Sequence, residues 1–110
     1  MGAAAEKTGV VIAGTGLIAR FHAQAVNESE LVHLVAACGR DAGKTAEFCR
    51  EFGGEPYTDL DAALSRDDAG LLLVATASGA HDEAVFAAAR HGVPVLVEKP
   101  IAITVVAEDD

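Results

Sequence analysis

The chain has 110 residues, of which 51% are hydrophobic, and carries a net charge of -9 at pH 7. This length fits one domain, which at this size can bury roughly two-thirds of its unfolded surface. The acidity argues against a nucleic-acid partner, and no basic amphipathic segment or apolar run of about 20 residues predicts a membrane partner. Cys38 and Cys49 do not form a disulfide framework, so we expect reduced thiols in a cytoplasmic protein.

After a polar lead at residues 1–7, which we expect to be frayed, apolar strands alternate with helical patterns. The predicted elements in chain order are strand 8–13, helix 17–26, strand 31–38, helix 41–52, strand 55–58, helix 59–64, strand 71–75, helix 80–91 and strand 93–97. This alternation implies parallel pairing with right-handed crossovers. The near-continuous apolar strands indicate a sheet covered on both faces. We therefore predict an α/β fold with a doubly wound parallel sheet.

The first strand is followed by the segment Gly14-Thr15-Gly16-Leu17-Ile18-Ala19, which matches G-x-G-x-x-[GA]. Gly14 allows a tight turn, Gly16 lets the backbone approach a pyrophosphate, and Ala19 keeps helix and strand close. The N-terminus of the next helix offers free N–H groups and a positive dipole end to phosphates. The segment predicts a dinucleotide site at Gly14, Thr15, Gly16, Leu17 and Ile18. A plain glycine turn is the alternative.

The end of the second strand, Cys38-Gly39-Arg40-Asp41, selects between cofactors. NAD sites usually place an acidic residue there, to bind the ribose 2′-hydroxyl. That position corresponds to Gly39 here, and Arg40 beside it can clamp a 2′-phosphate or stack on adenine. The pattern favours NADP over NAD. Two alternatives stay open: Asp41 either caps the helix or supplies the missing acid, and Arg40 could be an ordinary solvated charge.

The fourth strand leads into Thr76 and Ala77, whose small side chains leave room at the ligand edge. His81 falls in the first turn of the next helix, where the dipole disfavours an imidazolium ion. This indicates a neutral histidine near a nicotinamide or substrate, with a surface histidine as the alternative. No pair of histidine, cysteine or acidic residues has the spacing of a metal site, so we predict none.

The fifth strand is followed by Glu98-Lys99-Pro100, at the edge where open α/β sheets bind ligands. Pro100 biases Lys99 away from helix, so the lysine is presented at the strand tip. A lysine there can donate a hydrogen bond to a reacting hydroxyl or carbonyl, or shuttle a proton. Lys99 is the candidate catalytic residue, with Glu98 either orienting it or keeping it charged. A surface ion pair is the alternative.

These three motifs together resemble the glucose–fructose oxidoreductase/inositol dehydrogenase/rhizopine catabolism (Gfo/Idh/MocA) oxidoreductases, over roughly residues 8–106. The resemblance implies that residues 8–110 form an NAD(P)-binding Rossmann-type domain of about five strands, incomplete at the edge of a sixth. It also implies an oxidoreductase that transfers a hydride between NAD(P) and a sugar, polyol or cyclitol-type secondary alcohol. Lys99 matches the family lysine that contacts substrate and nicotinamide, and His81 matches a family histidine. Cofactor contacts are then expected at Thr76, Ala77, His81, Glu98 and Lys99.

The chain departs from the family pattern at Ala77-Ser78, where Pro-Asn is frequent, and at Gly39, where an acid is expected. The family's enzymes carry a second α/β domain with the substrate pocket and usually the oligomer interface. We expect that C-terminal domain to be absent here and the 110 residues alone to be inactive. A small-molecule substrate and a possible homo-oligomer belong to the complete protein. The alternatives are a non-catalytic NAD(P)-binding module or sensor and, less favoured, a methyltransferase-type adenosyl site.

Overall fold

The computed structural model describes residues 7–76 and 81–97, with the side chain of His81 excepted. Strands and helices alternate in these ranges as the sequence predicts. The elements are β1 (Thr8–Ala13), α1 (Leu17–Glu28), β2 (Val32–Cys38), α2 (Ala42–Phe52), β3 (Glu55–Tyr57), α3 (Leu60–Leu64), β4 (Leu71–Val74), α4 (His81–Arg90) and β5 (Val95–Val97).

The five strands form one sheet in the order β3-β2-β1-β4-β5, and every neighbouring pair is parallel. The carboxyl ends of all five strands therefore lie at the same edge of the sheet. The order changes direction at β1, which pairs with β2 on one side and β4 on the other. Ligands of open α/β sheets bind at such a switch point, outside the carboxyl ends of the strands. The predicted Rossmann-type fold is confirmed.

Alternate residues of the central strand face two separate apolar cores. Val10 and Ile12 pack in the core that α1 and α2 cover, together with Phe48. Val11 packs in the opposite core, which α3 and α4 cover, together with Leu72. Val11 and Ile12 are both 0% exposed. Both faces of the sheet are thus buried, which explains the continuous apolar runs of its strands.

Two element boundaries differ from the prediction by two residues, and the others by one residue or none. Helix α1 continues to Glu28, and the side-chain amide of Asn27 donates a 2.8 Å hydrogen bond to the carbonyl oxygen of Phe52. Strand β5 begins at Val95, since the N–H of Val93 bonds to the end of α4. Pro94 has no N–H to donate, although its carbonyl oxygen accepts from Leu72 at 2.9 Å.

None of the helices within 7–76 and 81–97 is both long and apolar enough to cross a bilayer.

Strand β5 lies at one edge of the sheet in this part of the chain, and Leu96 on it is 53% exposed.

Candidate cofactor site at the carboxyl edge of the sheet

A cleft of about 910 Å³ opens at the carboxyl ends of the strands. Three loops that are distant in sequence meet in it: the glycine loop after β1, the turn after β2, and the start of the segment after β4. The predicted site residues that line the cleft are Gly14, Thr15, Gly16, Gly39, Arg40 and Thr76. The structure therefore brings together half of the residues that the sequence assigned to the cofactor.

Gly14 holds the glycine loop against the two neighbouring strands. Its φ of 120° lies in the region that favours glycine, and a Cβ there would be 2.8 Å from the carbonyl oxygen of Ala75. Its N–H donates a 2.8 Å hydrogen bond to the carbonyl oxygen of Cys38, at the end of β2. The tight turn predicted for Gly14 is needed for the fold itself, whether or not a ligand binds.

Gly16 differs from Gly14 because no contact within the described chain requires it to be glycine. It is the N-cap of α1, and an added Cβ would meet nothing within 4 Å. No side chain caps α1, and its first turn has no acidic residue, whereas Asp41 and Asp59 cap α2 and α3. The N-terminus of α1, which begins beside Gly16 at the cleft, therefore keeps its first N–H groups and its positive dipole end free of a side-chain cap.

The turn after β2 and the first turn of α2 add positive charge to the same cleft. Arg40 and Lys44 both line it, and neither side chain belongs to an ion pair within the described ranges. Asp41 between them accepts a 3.0 Å hydrogen bond from the N–H of Lys44 through its Oδ1 atom. Of the two alternatives for Asp41, the structure shows the helix cap. A cleft with two unpaired cations beside an open helix N-terminus is suited to phosphate groups.

The opposite wall of the cleft has residues that the sequence analysis did not single out. Arg90 contacts both carboxylate oxygens of Asp61 at 3.0 Å, and Nε2 of His91 lies 3.0 Å from the same carboxylate. The hydrogen bond from Arg90, and then that of His91, lowers the pKa of Asp61. The positive charge of Arg90 is thus balanced by the carboxylate of Asp61, whereas Arg40 has no such partner among the described residues. Thr58 and Asp59 could have been found from sequence, because they directly follow β3 and so reach this edge.

The cleft also contains a thiol that is not activated. Burial, with a smaller contribution from the charge of Asp59, raises the pKa of Cys38 to about 11. Burial likewise raises the pKa of Cys49. Both cysteines are free, as predicted, and their protonated thiols are poor nucleophiles at neutral pH.

The other predicted site residues lie apart from this cleft or outside the described ranges. Leu17 and Ile18, in the first turn of α1, are 68% and 44% exposed and do not line the cleft. His81 begins α4, but its side chain is not described. Ala77, Glu98 and Lys99 lie outside the described residues, so their roles stay predictions. Within the described part, no three histidine, cysteine or acidic residues are grouped to hold a metal.

Comparison with known proteins identifies relatives of this chain. It is 38% identical over 99 residues to 2,7-anhydro-N-acetylneuraminate hydratase of Mediterraneibacter gnavus, covering 90% of this chain and 26% of the relative. It is 34% identical over 103 residues to inositol 2-dehydrogenase of Pseudomonas savastanoi pv. phaseolicola, covering 91% of this chain and 30% of the relative. The chain thus spans less than a third of the length of these relatives.

Solved structures of other proteins also resemble this chain over one domain. KijD10, a 3-ketoreductase from Actinomadura kijaniata solved with NADP, superposes with a TM-score of 0.81 at 31% identity, covering 87% of this chain and 31% of that one. GenD2 from gentamicin A biosynthesis, solved with NAD, superposes with a TM-score of 0.83 at 31% identity, covering 89% and 28%. The predicted cofactor class, NADP or NAD, is confirmed, and the choice between them is not decided by these neighbours.

The sequence model of an oxidoreductase family with an NAD-binding Rossmann fold matches residues 8–109, which is nearly the whole chain. This match agrees with the glycine loop, the parallel strand order and the open N-terminus of α1. The chain therefore belongs to the Gfo/Idh/MocA oxidoreductase family and corresponds to the NAD(P)-binding Rossmann domain of that family.

Proposed function

We propose that this domain binds NADP in preference to NAD, as the cofactor domain of an oxidoreductase. The observation that carries the proposal is the arrangement around α1: an uncapped helix N-terminus, open space at Gly16, and the cations Arg40 and Lys44, which have no acidic partner among the residues that the structure describes. Each feature favours an anion, and together they suit a ligand with phosphates at two places.

The chain offers a separate group for each part of such a cofactor. The first N–H groups of α1 would hold the pyrophosphate, which the missing side chain of Gly16 lets close to the backbone. The guanidinium of Arg40 would make paired hydrogen bonds to the 2′-phosphate, with Lys44 adding a point charge. Gly39 offers no carboxylate to an NAD ribose, and the Oδ1 atom of Asp41 is engaged in capping α2.

The nicotinamide ring supplies a hydride donor or acceptor when the cofactor is bound. We propose that Lys99 assists proton transfer at the substrate's hydroxyl or carbonyl and that Glu98 orients it. The substrate would be a sugar, polyol or cyclitol, in line with relatives named inositol 2-dehydrogenase and D-apiose dehydrogenase. The substrate pocket would belong to a second domain, and any homo-oligomer to the complete, cytoplasmic protein.

Titration calorimetry with NADPH and NADH tests the cofactor assignment. We expect NADPH to bind at least about tenfold more tightly than NADH, which corresponds to about 1.4 kcal/mol. Arg40→Ala should remove most of that difference by weakening NADPH alone. Arg50→Ala is the matched control, because Arg50 lies in the last turn of α2, away from the cleft. Tighter binding of NADH by wild type would contradict the NADP preference.

Replacing Lys99 tests the proposed chemistry, in the form of the protein that includes the proposed substrate domain. Lys99→Ala should abolish turnover and leave the affinity for NADPH within about twofold of wild type. Unchanged turnover would favour the alternative, a non-catalytic NAD(P)-binding module, because such a module needs the glycine loop but no lysine at position 99.

A further inference from the structure

Thr45, in the first turn of α2, is an unusual core residue. It is 0% exposed and is the single buried polar residue in the ranges that the structure describes. Its hydroxyl donates a 2.8 Å hydrogen bond to the carbonyl oxygen of Asp41, which also accepts from the N–H of Thr45 at 2.9 Å. Rotating this buried hydroxyl away would break its bond, so its oxygen stays in one place.

That oxygen lies directly beside Gly39, the position where an NAD site carries its acid. A Cβ on Gly39 would lie 2.6 Å from Oγ1 of Thr45, and 3.0 Å from Cγ2 of Thr15 in the glycine loop. The first distance is shorter than any normal contact of a Cβ atom. The backbone conformation of Gly39 is not the obstacle, because its φ lies outside the region reserved for glycine.

The backbone at this position is held on both sides and has little freedom to move away. The N–H of Gly39 donates a 3.0 Å hydrogen bond to the carbonyl oxygen of Tyr57, at the end of β3. The carbonyl oxygen of Cys38 accepts a 2.8 Å bond from Gly14. A side chain at position 39 would therefore have to displace Thr45, or shift the end of β2 together with the glycine loop.

We propose that Thr45 is a positioning residue that sets the choice of cofactor: while it is present, position 39 accepts only glycine. The carboxylate that would bind the 2′-hydroxyl of NAD then has no place there. Thr45 does not line the cleft, so it acts through Gly39 rather than by touching the cofactor. The inference rests on the proposed function, since it concerns the same cofactor site.

Three variants test the proposal: Gly39→Asp, Thr45→Ala and the double variant. We expect Gly39→Asp alone to lower the Tm by about 5 °C or more and to weaken NADPH and NADH alike by about tenfold, because the added side chain shifts the glycine loop. The double variant lacks the 2.6 Å contact with Oγ1 of Thr45 and keeps only the 3.0 Å approach to Cγ2 of Thr15, which a shift of a few tenths of an ångström relieves. Its Tm should return to within about 2 °C of that of Thr45→Ala, and NADH should bind about tenfold more tightly than NADPH.

Gly39→Asp combined with Thr45→Ser is the matched control. Serine keeps the oxygen that meets the added Cβ and loses only the methyl group, so this variant should resemble Gly39→Asp alone. Equal recovery by serine and alanine, or a Gly39→Asp variant that folds like wild type and already prefers NADH, would overturn the proposal. Failure of wild type to bind either nucleotide would instead overturn the proposed function, and the Tm series would still report the steric contact by itself.

Discussion

Adding one methyl group to each of the two glycines of the loop after β1 should have different effects. At Gly14 it should destabilise the fold, whereas at Gly16 it should weaken cofactor binding and leave the stability nearly unchanged. In Gly14→Ala, the new Cβ lies 2.8 Å from the carbonyl oxygen of Ala75, and alanine must adopt a φ near 120°. Backbone strain and overpacking of this kind each cost about 1–3 kcal/mol, so the free energy of unfolding should fall by about 2–6 kcal/mol. For a domain of this size, that lowers the Tm by at least about 8 °C.

In Gly16→Ala, the new Cβ meets no described atom within 4 Å, and φ is -83°, which alanine adopts freely. The reduced entropy of the unfolded chain favours alanine by about 0.4–1 kcal/mol, and the poorer N-cap opposes it by a similar amount. The free energy of unfolding should therefore change by no more than about 0.5 kcal/mol. Affinity for NADPH should nevertheless fall by at least about tenfold, because the methyl group takes the space that we propose for the pyrophosphate.

Thermal unfolding and titration calorimetry on the same preparations separate these effects. Gly43→Ala is the matched control, because Gly43 lies in α2 and does not line the cleft. It should gain up to about 1 kcal/mol of stability from helix propensity without a change in NADPH affinity. If Gly16→Ala were as unstable as Gly14→Ala, or bound NADPH like wild type, the assignment of Gly16 to the pyrophosphate would be refuted.

Two further results follow from the groups on the cleft wall. Asp61→Asn should lower the Tm at pH 7, because Arg90 and His91 hold the pKa of Asp61 low in the folded state only. The deficit should begin to shrink below about pH 4, the pKa in the unfolded chain, and vanish as the pH falls through the lower pKa of the folded state. A deficit independent of pH would show that charge plays no part. Cys38, with its pKa raised to about 11, should react only slowly with iodoacetamide at pH 8. Its rate should be at least about tenfold below that of a free thiol, after allowing for the greater nucleophilicity of its thiolate. A rate equal to that of a small thiol, measured by mass spectrometry, would contradict the burial of this side chain.

Local patterns were sufficient to predict the order of the elements. The apolar run of β1 and the spacing of apolar residues in α2 are properties of short segments, and the structure has both at nearly the expected residues. The end of α1 was predicted two residues too early, because Asn27 and Glu28 are polar. A contact with Phe52, 25 positions further along the chain, extends that helix, and such a contact is invisible in a local pattern.

The sequence was enough to place the glycine loop and Arg40 at the cleft, but not the residues of α3 and α4 that also line it. Gly14, Gly16 and Arg40 lie within three residues of the end of a strand, so the rule that ligands bind at the carboxyl edge of the sheet was enough to place them there. The pairing of Asp61 with Arg90 joins two helices and depends on how they pack. The steric relation between Gly39 and Thr45 depends on the exact approach of α2 to the end of β2, which only coordinates provide.

The most direct test of the cofactor site is an NMR titration of the isotopically labelled chain with NADP⁺. We expect the largest shifts of backbone N–H signals at the start of α1, at residues 16–19, and around Arg40 and Lys44, in the turn after β2 and the first turn of α2. NAD⁺ should move the first group and leave the second nearly unchanged, because it lacks the 2′-phosphate. Shifts confined to another surface, or an N-terminus of α1 that does not respond to either nucleotide, would contradict the proposed cofactor site.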